Sequence, residues 1–221
     1  MLRIDMTSTP RIALLYCHGN MEDANMLLEF FKYISRRFEA VVFVVEYTGY
    51  GPTRETHTPS MENTHADVDC CLDHVKAVEP GLPLLVWARS MGCAPALRSL
   101  ASVPAGTCAG LVLESAFLTP LMTVVPFRLP LESDFENIDE IAHLPGVPIL
   151  FIHGKKDTVV PSWHAETLFN AYENGPKTLV LVPTGSHNDL FGKMEHRSLV
   201  EVELEHFIQT YFLSKGDPPR V

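Results

Sequence analysis

Cysteine is scarce in this sequence, and its distribution excludes two kinds of stabilising site. The chain has five cysteines, at positions 17, 70, 71, 93 and 108, so the number is odd and no C-x-x-C pair occurs. A disulfide framework needs an even set, and a structural zinc site needs paired ligands at short spacing. The ten histidines also lack H-E-x-x-H or another ligand spacing. We therefore expect no metal, and mostly buried thiols in a reducing compartment.

The sequence also has few basic residues and no long apolar runs. Seventeen lysines and arginines face 27 aspartates and glutamates, which gives a net charge of −10. This charge repels phosphate backbones and anionic lipid surfaces, so nucleic acid is excluded as the main partner. The opening MLRIDMTSTP lacks a charged-then-apolar leader, and no apolar run approaches the roughly 20 residues of a membrane span. These absences predict a cytoplasmic protein without a stable membrane anchor.

The sequence does contain a regular alternation of apolar runs and helix-like segments along its 221 residues. The apolar runs are continuous, which is typical of parallel strands covered on both faces. The alternation predicts one α/β domain at 1–221, with a doubly wound, mostly parallel sheet and helices on both faces. Strands are predicted at 12–17, 40–47, 84–88, 111–114, 149–153 and 178–182, and helices at 25–37, 63–78, 91–102, 161–172 and 190–213.

Ser90 lies where the strand at 84–88 passes into the following helix, in the sequence ARSMG. A serine in such a turn projects its hydroxyl above the sheet beside the helix N-terminus, which is the position of a nucleophile. Ala88 replaces the first glycine of the G-x-S-x-G pattern and adds one methyl group, whereas Gly92 keeps the second. Taken alone, the stretch is equally compatible with an ordinary helix N-cap.

Two further polar residues follow the ends of later strands. Asp157 follows ILFIH and His187 follows TLVLV, so Ser90, Asp157 and His187 each lie just past a different predicted strand. In parallel sheets the ligand crevice forms beyond the carboxyl ends of the strands. A nucleophilic serine needs a base, and the base needs an acid that orients it. The sequence therefore predicts Ser90 as nucleophile, His187 as base and Asp157 as orienting acid.

The loop after the first predicted strand, in the sequence YCHGN, supplies a candidate oxyanion hole. Backbone N–H groups stabilise the negative charge that develops on a carbonyl oxygen during acyl transfer. We predict the amide of Met91, which follows the serine, as one donor and the amide of Asn20 as the other. Gly19 lets the loop turn close to the site, and His18 is expected to brace the loop rather than to react.

Other residues near these positions are assigned supporting roles. Glu114 ends the strand LVLE and is a weaker candidate for the acid, so we expect it to be hydrogen-bonded near the site. Arg89 is expected to lie outside the chemistry, in solvent or in a salt bridge. Asn188 and Asp189 follow His187 and precede a predicted helix, which favours capping.

Successive motifs of this chain resemble those of the α/β-hydrolase superfamily. They are CHGNMEDANM, EYTGYGPT, ARSMGCAPAL, LESAF, ILFIHGKKDTVVP and PTGSHND, and they cover nearly the whole chain from Ile12 onward. They are most similar to the group of protein depalmitoylases and serine peptidase-like esterases, whose depalmitoylase-type members have proline at the spacing of Pro95. The resemblance implies an α/β-hydrolase fold and no cofactor. Because only about eleven residues precede the first predicted strand, we expect the sheet to be trimmed at its N-terminal edge.

Two features of the chain bear on the substrate that this resemblance implies. The lipidated N-terminal cysteine cluster of depalmitoylase-type members has no counterpart here, so membrane attachment is not expected. The apolar, proline-rich connection at 117–135 occupies the lid position of the superfamily. We expect it to form one wall of an acyl-binding groove, because each buried methylene contributes about 0.8 kcal/mol. The candidate substrate-binding residues are Met21, Phe117, Leu121, Met122 and Val125.

Together these residues predict a serine hydrolase of the carboxylesterase or acyl-protein thioesterase kind, acting through an acyl-enzyme. Its partner would be a small-molecule or acylated-protein ester or thioester. One alternative is a prolyl-oligopeptidase-like serine peptidase, although such enzymes usually carry a separate gating domain. A second is a non-catalytic interaction protein on a hydrolase scaffold, although binding alone does not need a triad. Triads are shared among esterases, thioesterases and peptidases, so the sequence does not name the substrate.

Overall fold

The chain folds around a single parallel sheet, seen here in a computed structural model that describes residues 1–125, 127 and 135–213. Residues 126 and 128–134 of the predicted lid-like connection, and 214–221 at the end of the chain, lie outside the described residues. Seven strands of the described part form the sheet, in the order β1-β3-β2-β4-β5-β6-β7. All neighbours are parallel except β1, which runs antiparallel to β3. The strands are β1 (Leu2–Asp5), β2 (Ile12–Cys17), β3 (Ala40–Val44), β4 (Leu84–Arg89), β5 (Gly110–Glu114), β6 (Ile149–Gly154) and β7 (Lys177–Val182).

Helices cover both faces of the sheet because successive residues of a strand point to opposite sides. The helices are α1 (Leu28–Phe38), α2 (Met61–Val78), α3 (Cys93–Ala101), α4 (Asn137–Glu140), α5 (Trp163–Ala171) and α6 (Met194–Tyr211). In β2, Ala13 and Leu15 belong to the core layer that contains residues of α2, α3 and α5. Their neighbours Ile12 and Leu14 belong to the layer that contains residues of α1 and α6. The predicted doubly wound, mostly parallel α/β fold is therefore confirmed.

The sequence pattern does not predict β1 or α4, and it places the start of α6 too early. β1 has four residues, of which one is buried, so no apolar run marks it. It nevertheless extends the sheet at the edge where we expected trimming. α4 is also four residues long, which is too short to show helical periodicity. α6 starts at Met194 instead of 190 because the carbonyl oxygen of Asp189 accepts hydrogen bonds from the amides of Gly192 and Lys193, which closes a turn first.

The carboxyl ends of β2, β4, β6 and β7 lie along one edge of the sheet, because these strands are parallel through their neighbours. The loops that leave them start at His18, Ser90, Lys155 and Pro183. Each of these loops carries one of the groups singled out in the sequence. The topology thus places those groups on a common edge without any further assumption.

Candidate active site

Ser90 occupies a tight turn between β4 and α3. A 3-10 turn covers Ser90–Gly92, and α3 starts at the next residue. Ser90 has a φ of +50°, in the left-handed region that residues with a side chain rarely adopt. A Cβ at Gly92 would lie 2.3 Å from the carbonyl oxygen of Cys17, so a larger residue does not fit. The turn is therefore strained at the serine and tightly packed two residues later.

The remaining features of this turn decide two questions left open by the sequence. The N-cap position of α3 is held by Gly92 and makes no side-chain capping hydrogen bond, so Ser90 is not an ordinary cap of that helix. Ala88, which replaces the first glycine of the pattern, is wholly buried in β4. Its backbone is paired with Cys17 and Leu113 of the neighbouring strands, and its methyl group belongs to the core layer that contains residues of α2 and α3.

The structure brings Ser90, His187 and Asp157 together at the sheet edge. Nε2 of His187 lies 3.2 Å from Oγ of Ser90, and Nδ1 lies 2.7 Å from Oδ2 of Asp157. An ionised carboxylate only accepts hydrogen bonds, so Nδ1 carries the imidazole proton and Nε2 accepts from the serine hydroxyl. The side chain of His187 is 11% exposed and that of Asp157 is inaccessible. This arrangement is capable of moving a proton from the serine to the imidazole.

Asp157 is held in its ionised form by several donors. Its Oδ1 accepts from the amides of Val159 and Val160 at 2.9 and 2.8 Å. Nε2 of the wholly buried His153 lies 3.4 Å from Oδ2 and donates to the carbonyl oxygen of Val160 at 2.7 Å. Burial alone would raise the pKa of Asp157, but the nearby imidazole N–H of His153 and the hydrogen bonds from His187 and the amide of Val160 outweigh burial and hold the pKa well below its usual range. His153 was not among the site residues predicted from the sequence, although its spacing of four from Asp157 is visible in HGKKD.

The loop after β2 approaches the serine closely. A Cβ at Gly19 would lie 3.6 Å from Cβ of Ser90, and the amide of Gly19 donates to Oε2 of Glu22 at 2.8 Å. Asn20 and Met91, the two predicted oxyanion residues, line the same cavity as Ser90. The loop and the turn after β4 therefore face each other across the serine.

Contacts from three aromatic or imidazole side chains fix this loop. His18 is wholly buried, and its Nδ1 donates to the carbonyl oxygen of Gly19 at 2.8 Å. The Tyr47 hydroxyl donates to the carbonyl oxygen of His18 at 3.1 Å, and the Tyr50 hydroxyl donates to Oδ1 of Asn20 at 2.9 Å. The prediction that His18 braces the loop is confirmed.

A cavity of about 620 Å³ opens beside Ser90 and His187. Of the predicted substrate-binding residues, Met21 and Phe117 line it. Leu121, Met122 and Val125 are not among its described lining residues. The 3-10 turn Leu121–Thr123 explains this, because residues three apart share a face of such a turn. Pro120 and Thr123 face the cavity, whereas Met122 packs against the core; the other apolar lining residues are Met91, Phe135, Val159 and Val160.

Arg89 is buried beside the site and forms salt bridges, so the expected salt-bridge role is confirmed and the solvent-exposed alternative is wrong. Its Nη1 pairs with Glu22, and its Nε lies 3.2 Å from Oε1 of Glu114. Glu114 also accepts from Nε1 of Trp87 at 3.0 Å, so its predicted supporting role is confirmed. Burial raises the pKa of Glu114 above its usual value, although Arg89 and Trp87 act in the opposite direction. Glu22 and Glu114 are both distant from Arg89 in the sequence, so no local pattern predicts that they pair with it.

The loop that carries His187 is tied down on both sides of the histidine. Oδ1 of Asp189 accepts from the amide of Ser186 at 2.7 Å, and Oδ1 of Asn188 accepts from Arg89 at 2.6 Å. Neither Asn188 nor Asp189 caps α6, whose N-cap is Lys193, so the predicted capping role is wrong. Both side chains instead fix the loop.

Comparisons with known proteins agree with this fold. A family model described as serine aminopeptidase, S33, matches residues 8–138 of the chain. The chain belongs to this family of α/β hydrolases. The resemblance stated from its motifs is thereby confirmed.

Relatives of this α/β hydrolase include longer proteins. An uncharacterized membrane protein of Saccharomyces cerevisiae is 33% identical over 165 residues, which are 70% of this chain and 57% of that protein. Alpha/beta hydrolase domain-containing protein 17C of Mus musculus is 28% identical over 186 residues, which are 81% of this chain and 55% of that protein. The chain thus spans little more than half the length of these relatives. In the part of the chain that the structure describes, no helix has both the length and the apolar character needed to cross a bilayer.

Solved structures of low identity share the fold. A soluble variant of monoglyceride lipase from Saccharomyces cerevisiae has a TM-score of 0.70 at 15% identity, over 93% of this chain and 88% of that chain. The esterase Est2 of Thermogutta terrifontis has a TM-score of 0.72 at 16% identity, over 97% and 90% of the two chains. At this identity the likeness concerns the fold alone.

Proposed function

We propose that this α/β hydrolase is a serine hydrolase that cleaves an ester or thioester through an acyl-enzyme. The observation that carries the proposal is the continuous set of contacts Ser90–His187–Asp157, at 3.2 and 2.7 Å. A serine in a strained turn, a base within hydrogen-bond reach and a buried orienting acid are the parts that nucleophilic acyl transfer needs. The proposal treats 1–221 as a single domain with a lid-like connection at 117–135.

In the proposed acylation step, Ser90 Oγ attacks the carbonyl carbon while His187 Nε2 takes the hydroxyl proton. Asp157 keeps the imidazole in the tautomer with hydrogen on Nδ1 and stabilises the imidazolium that forms. The carbonyl oxygen becomes negatively charged, and the amides of Asn20 and Met91 stabilise it. The imidazolium then gives its proton to the leaving alcohol or thiol, which breaks the bond to the leaving group.

In the proposed deacylation step, the same residues act on water. His187 removes a proton from a water molecule, whose oxygen attacks the acyl-enzyme carbonyl. The oxyanion donors act a second time, and His187 returns the proton to Ser90 Oγ as the carboxylic acid leaves. The two proposed steps use these side chains and amides, the substrate and one water molecule.

An aliphatic acyl group is the proposed occupant of the cavity beside the serine. Seven of its described lining residues are apolar, including Met21, Phe117 and Val160. Each methylene that enters gains about 0.8 kcal/mol from leaving water. We therefore propose that the acyl chain, in a small molecule or on a protein, contributes most of the binding energy.

A fluorophosphonate probe tests the proposal, because it reacts covalently with activated serines. We expect wild-type protein to be labelled and Ser90→Ala to be unlabelled. Ser102→Ala is the matched control, since Ser102 is exposed at the C-terminal end of α3, away from the turn that holds Ser90, and its replacement should leave labelling unchanged. Labelling that persists in Ser90→Ala would contradict the assignment.

Hydrolysis of peptide amides is a second candidate, favoured by the family's description as a serine aminopeptidase. The same nucleophile and base would serve, with an amine as leaving group. The two candidate functions are distinguished by measuring kcat/KM for p-nitrophenyl esters, acyl thioesters and dipeptide amides with the same protein preparation. Activity on amides with none on esters would reverse our order.

The compartment forms part of the proposal as well. All five cysteines are unpaired, and four of them are buried. Free thiols are typical of proteins in a reducing compartment, which supports the cytoplasm. Localisation of a tagged full-length protein in fractionated cells tests this directly.

A further inference from the structure

Arg89 is the last residue of β4, and its guanidinium contacts three of the segments around the candidate site. Nη1 donates to Glu22 in the loop after β2. Nη2 donates to the backbone carbonyl oxygen of His187 at 2.9 Å and to Oδ1 of Asn188 at 2.6 Å. Nε lies 3.2 Å from Oε1 of Glu114, at the end of β5. One planar group thus joins segments that are distant in sequence.

Two of these contacts lead directly to groups that the proposed reaction uses. Glu22 accepts from the amide of Gly19 at 2.8 Å through its second oxygen, so the guanidinium is linked to the residue before Asn20. The carbonyl that accepts from Nη2 belongs to the proposed base itself. The side chain of Arg89 is only 10% exposed, so these bonds meet little competition from water.

We propose that Arg89 is a positioning residue. It holds the loop after β2, which carries Asn20, and the loop after β7, which carries His187, in fixed positions relative to Ser90. This inference rests on the proposed function. The planar guanidinium presents its donors at fixed angles, so one side chain sets both loops relative to the strand that carries the serine. A displacement of about 1 Å at a reacting group slows a reaction about 10²-fold.

A simpler reading is that Arg89 only neutralises two carboxylates, the buried Glu114 and the partly buried Glu22. That role requires a positive charge and no particular geometry, so lysine would satisfy it. The two readings therefore differ in the effect of Arg89→Lys. The positioning role predicts a lower kcat in a folded protein, whereas neutralisation alone predicts an unchanged kcat.

The first experiment compares Arg89→Lys with Arg98→Lys, an exposed arginine on α3 that serves as the matched control. Activity on a short p-nitrophenyl ester should show kcat lower by about 10²-fold in Arg89→Lys, with KM little changed. Arg98→Lys should match wild type, and thermal melts should show both variants folded at the assay temperature. An equal kcat in Arg89→Lys and wild type would overturn the proposal.

A second variant guards against misfolding at this buried position. Asn188 is exposed, and Asn188→Ala removes one acceptor from the His187 loop while leaving Glu22 and Glu114 paired with Arg89. We expect a smaller fall in kcat than for Arg89→Lys.

In Arg89→Ala, added guanidinium should restore part of kcat, whereas ammonium at the same ionic strength should not. Equal rescue by both ions would favour neutralisation and count against positioning.

A spectroscopic readout separates this inference from the proposed function. The proton on Nδ1 of His187, which is hydrogen-bonded to Asp157, gives a downfield NMR signal. Arg89→Lys should shift or broaden that signal, and Arg98→Lys should leave it unchanged. An unchanged signal in Arg89→Lys would overturn the positioning role. A wild-type protein without labelling or turnover would instead contradict the proposed function, and the signal would then still decide whether Arg89 sets the histidine.

Discussion

Asp157 is buried, and loss of contact with water by itself favours the protonated form of its carboxyl group. Its carboxylate is nevertheless ionised, because two backbone amides and two imidazoles donate to it or face it. These bonds hold its pKa below the ordinary value of 3.8. A carboxyl group with a lowered pKa stabilises the folded state at pH values above its ordinary pKa, and that stabilisation is lost as the pH falls through its lowered pKa.

Asp157→Asn should therefore reduce both activity and stability at neutral pH. We expect kcat to fall roughly 10⁴-fold, because the amide favours the wrong imidazole tautomer. The free energy of unfolding should drop at pH 7, and its difference from wild type should shrink below about pH 3.8. Urea unfolding at several pH values measures this. Asp73→Asn, at an exposed position on α2, is the control; a stability difference that stays constant down to acid pH would contradict the argument.

Single residues were predictable where a local pattern defines them. Ser90, Asp157 and His187 each follow an apolar run and have the side chains that a nucleophile, an acid and a base need, so their convergence at one edge of the sheet was predictable. Arg89 also follows an apolar run, but its partners Glu22 and Asn188 are 67 and 99 residues away. No local pattern reports such a pairing, because it depends on how three loops meet after the sheet has formed.

At the scale of elements, the six longer strands were predictable and the shortest one was not. β2, β4 and β6 are buried at every position, so their composition is set by the core and is visible as apolar runs. β1 has one buried residue and exists because β3 offers it a free edge to pair with. The first residues of the helices differ from their predicted positions by two to four residues, since local hydrogen bonds, and not apolar spacing, decide where a helix begins.

The connection between β5 and α4 should set the acyl-chain preference. Thr123 ends a 3-10 turn in this connection and lines the cavity. Thr123→Trp should fill part of the cavity and lower kcat/KM by about fourfold for each methylene that no longer fits. Kinetics on p-nitrophenyl esters of increasing chain length measure the effect.

The adjacent residue provides the matched control for this prediction. Val124 is 81% exposed and does not line the cavity, so Val124→Trp adds the same side chain outside it. The length profile of Val124→Trp should follow wild type. An equal loss on acetate and on long-chain esters in Thr123→Trp would show that the cavity does not hold the acyl chain.

At the scale of the whole molecule, net charge acts on every substrate that approaches the cleft. The chain carries −10, and Arg89, the arginine among the described residues that line the cavity, is paired with two carboxylates. The negative net charge therefore repels an anionic substrate. Arg89 does not offset this repulsion at the cavity, because its positive charge is already neutralised by its two carboxylate partners. Salt weakens this repulsion, because the Debye length shortens from about 30 Å at 0.01 M to about 8 Å at 0.15 M.

An ester with a carboxylate at the far end of its acyl chain should be hydrolysed faster as salt is added. We expect its kcat/KM to rise by up to roughly tenfold between these two ionic strengths, since association is slowed by repulsion at low salt. The uncharged methyl ester of the same compound serves as the control, because its association has no net charge to screen. A kcat/KM that falls with salt for the anionic substrate would mean that a local positive potential outweighs the net charge, and a parallel change in both substrates would point to an effect of salt on the protein itself.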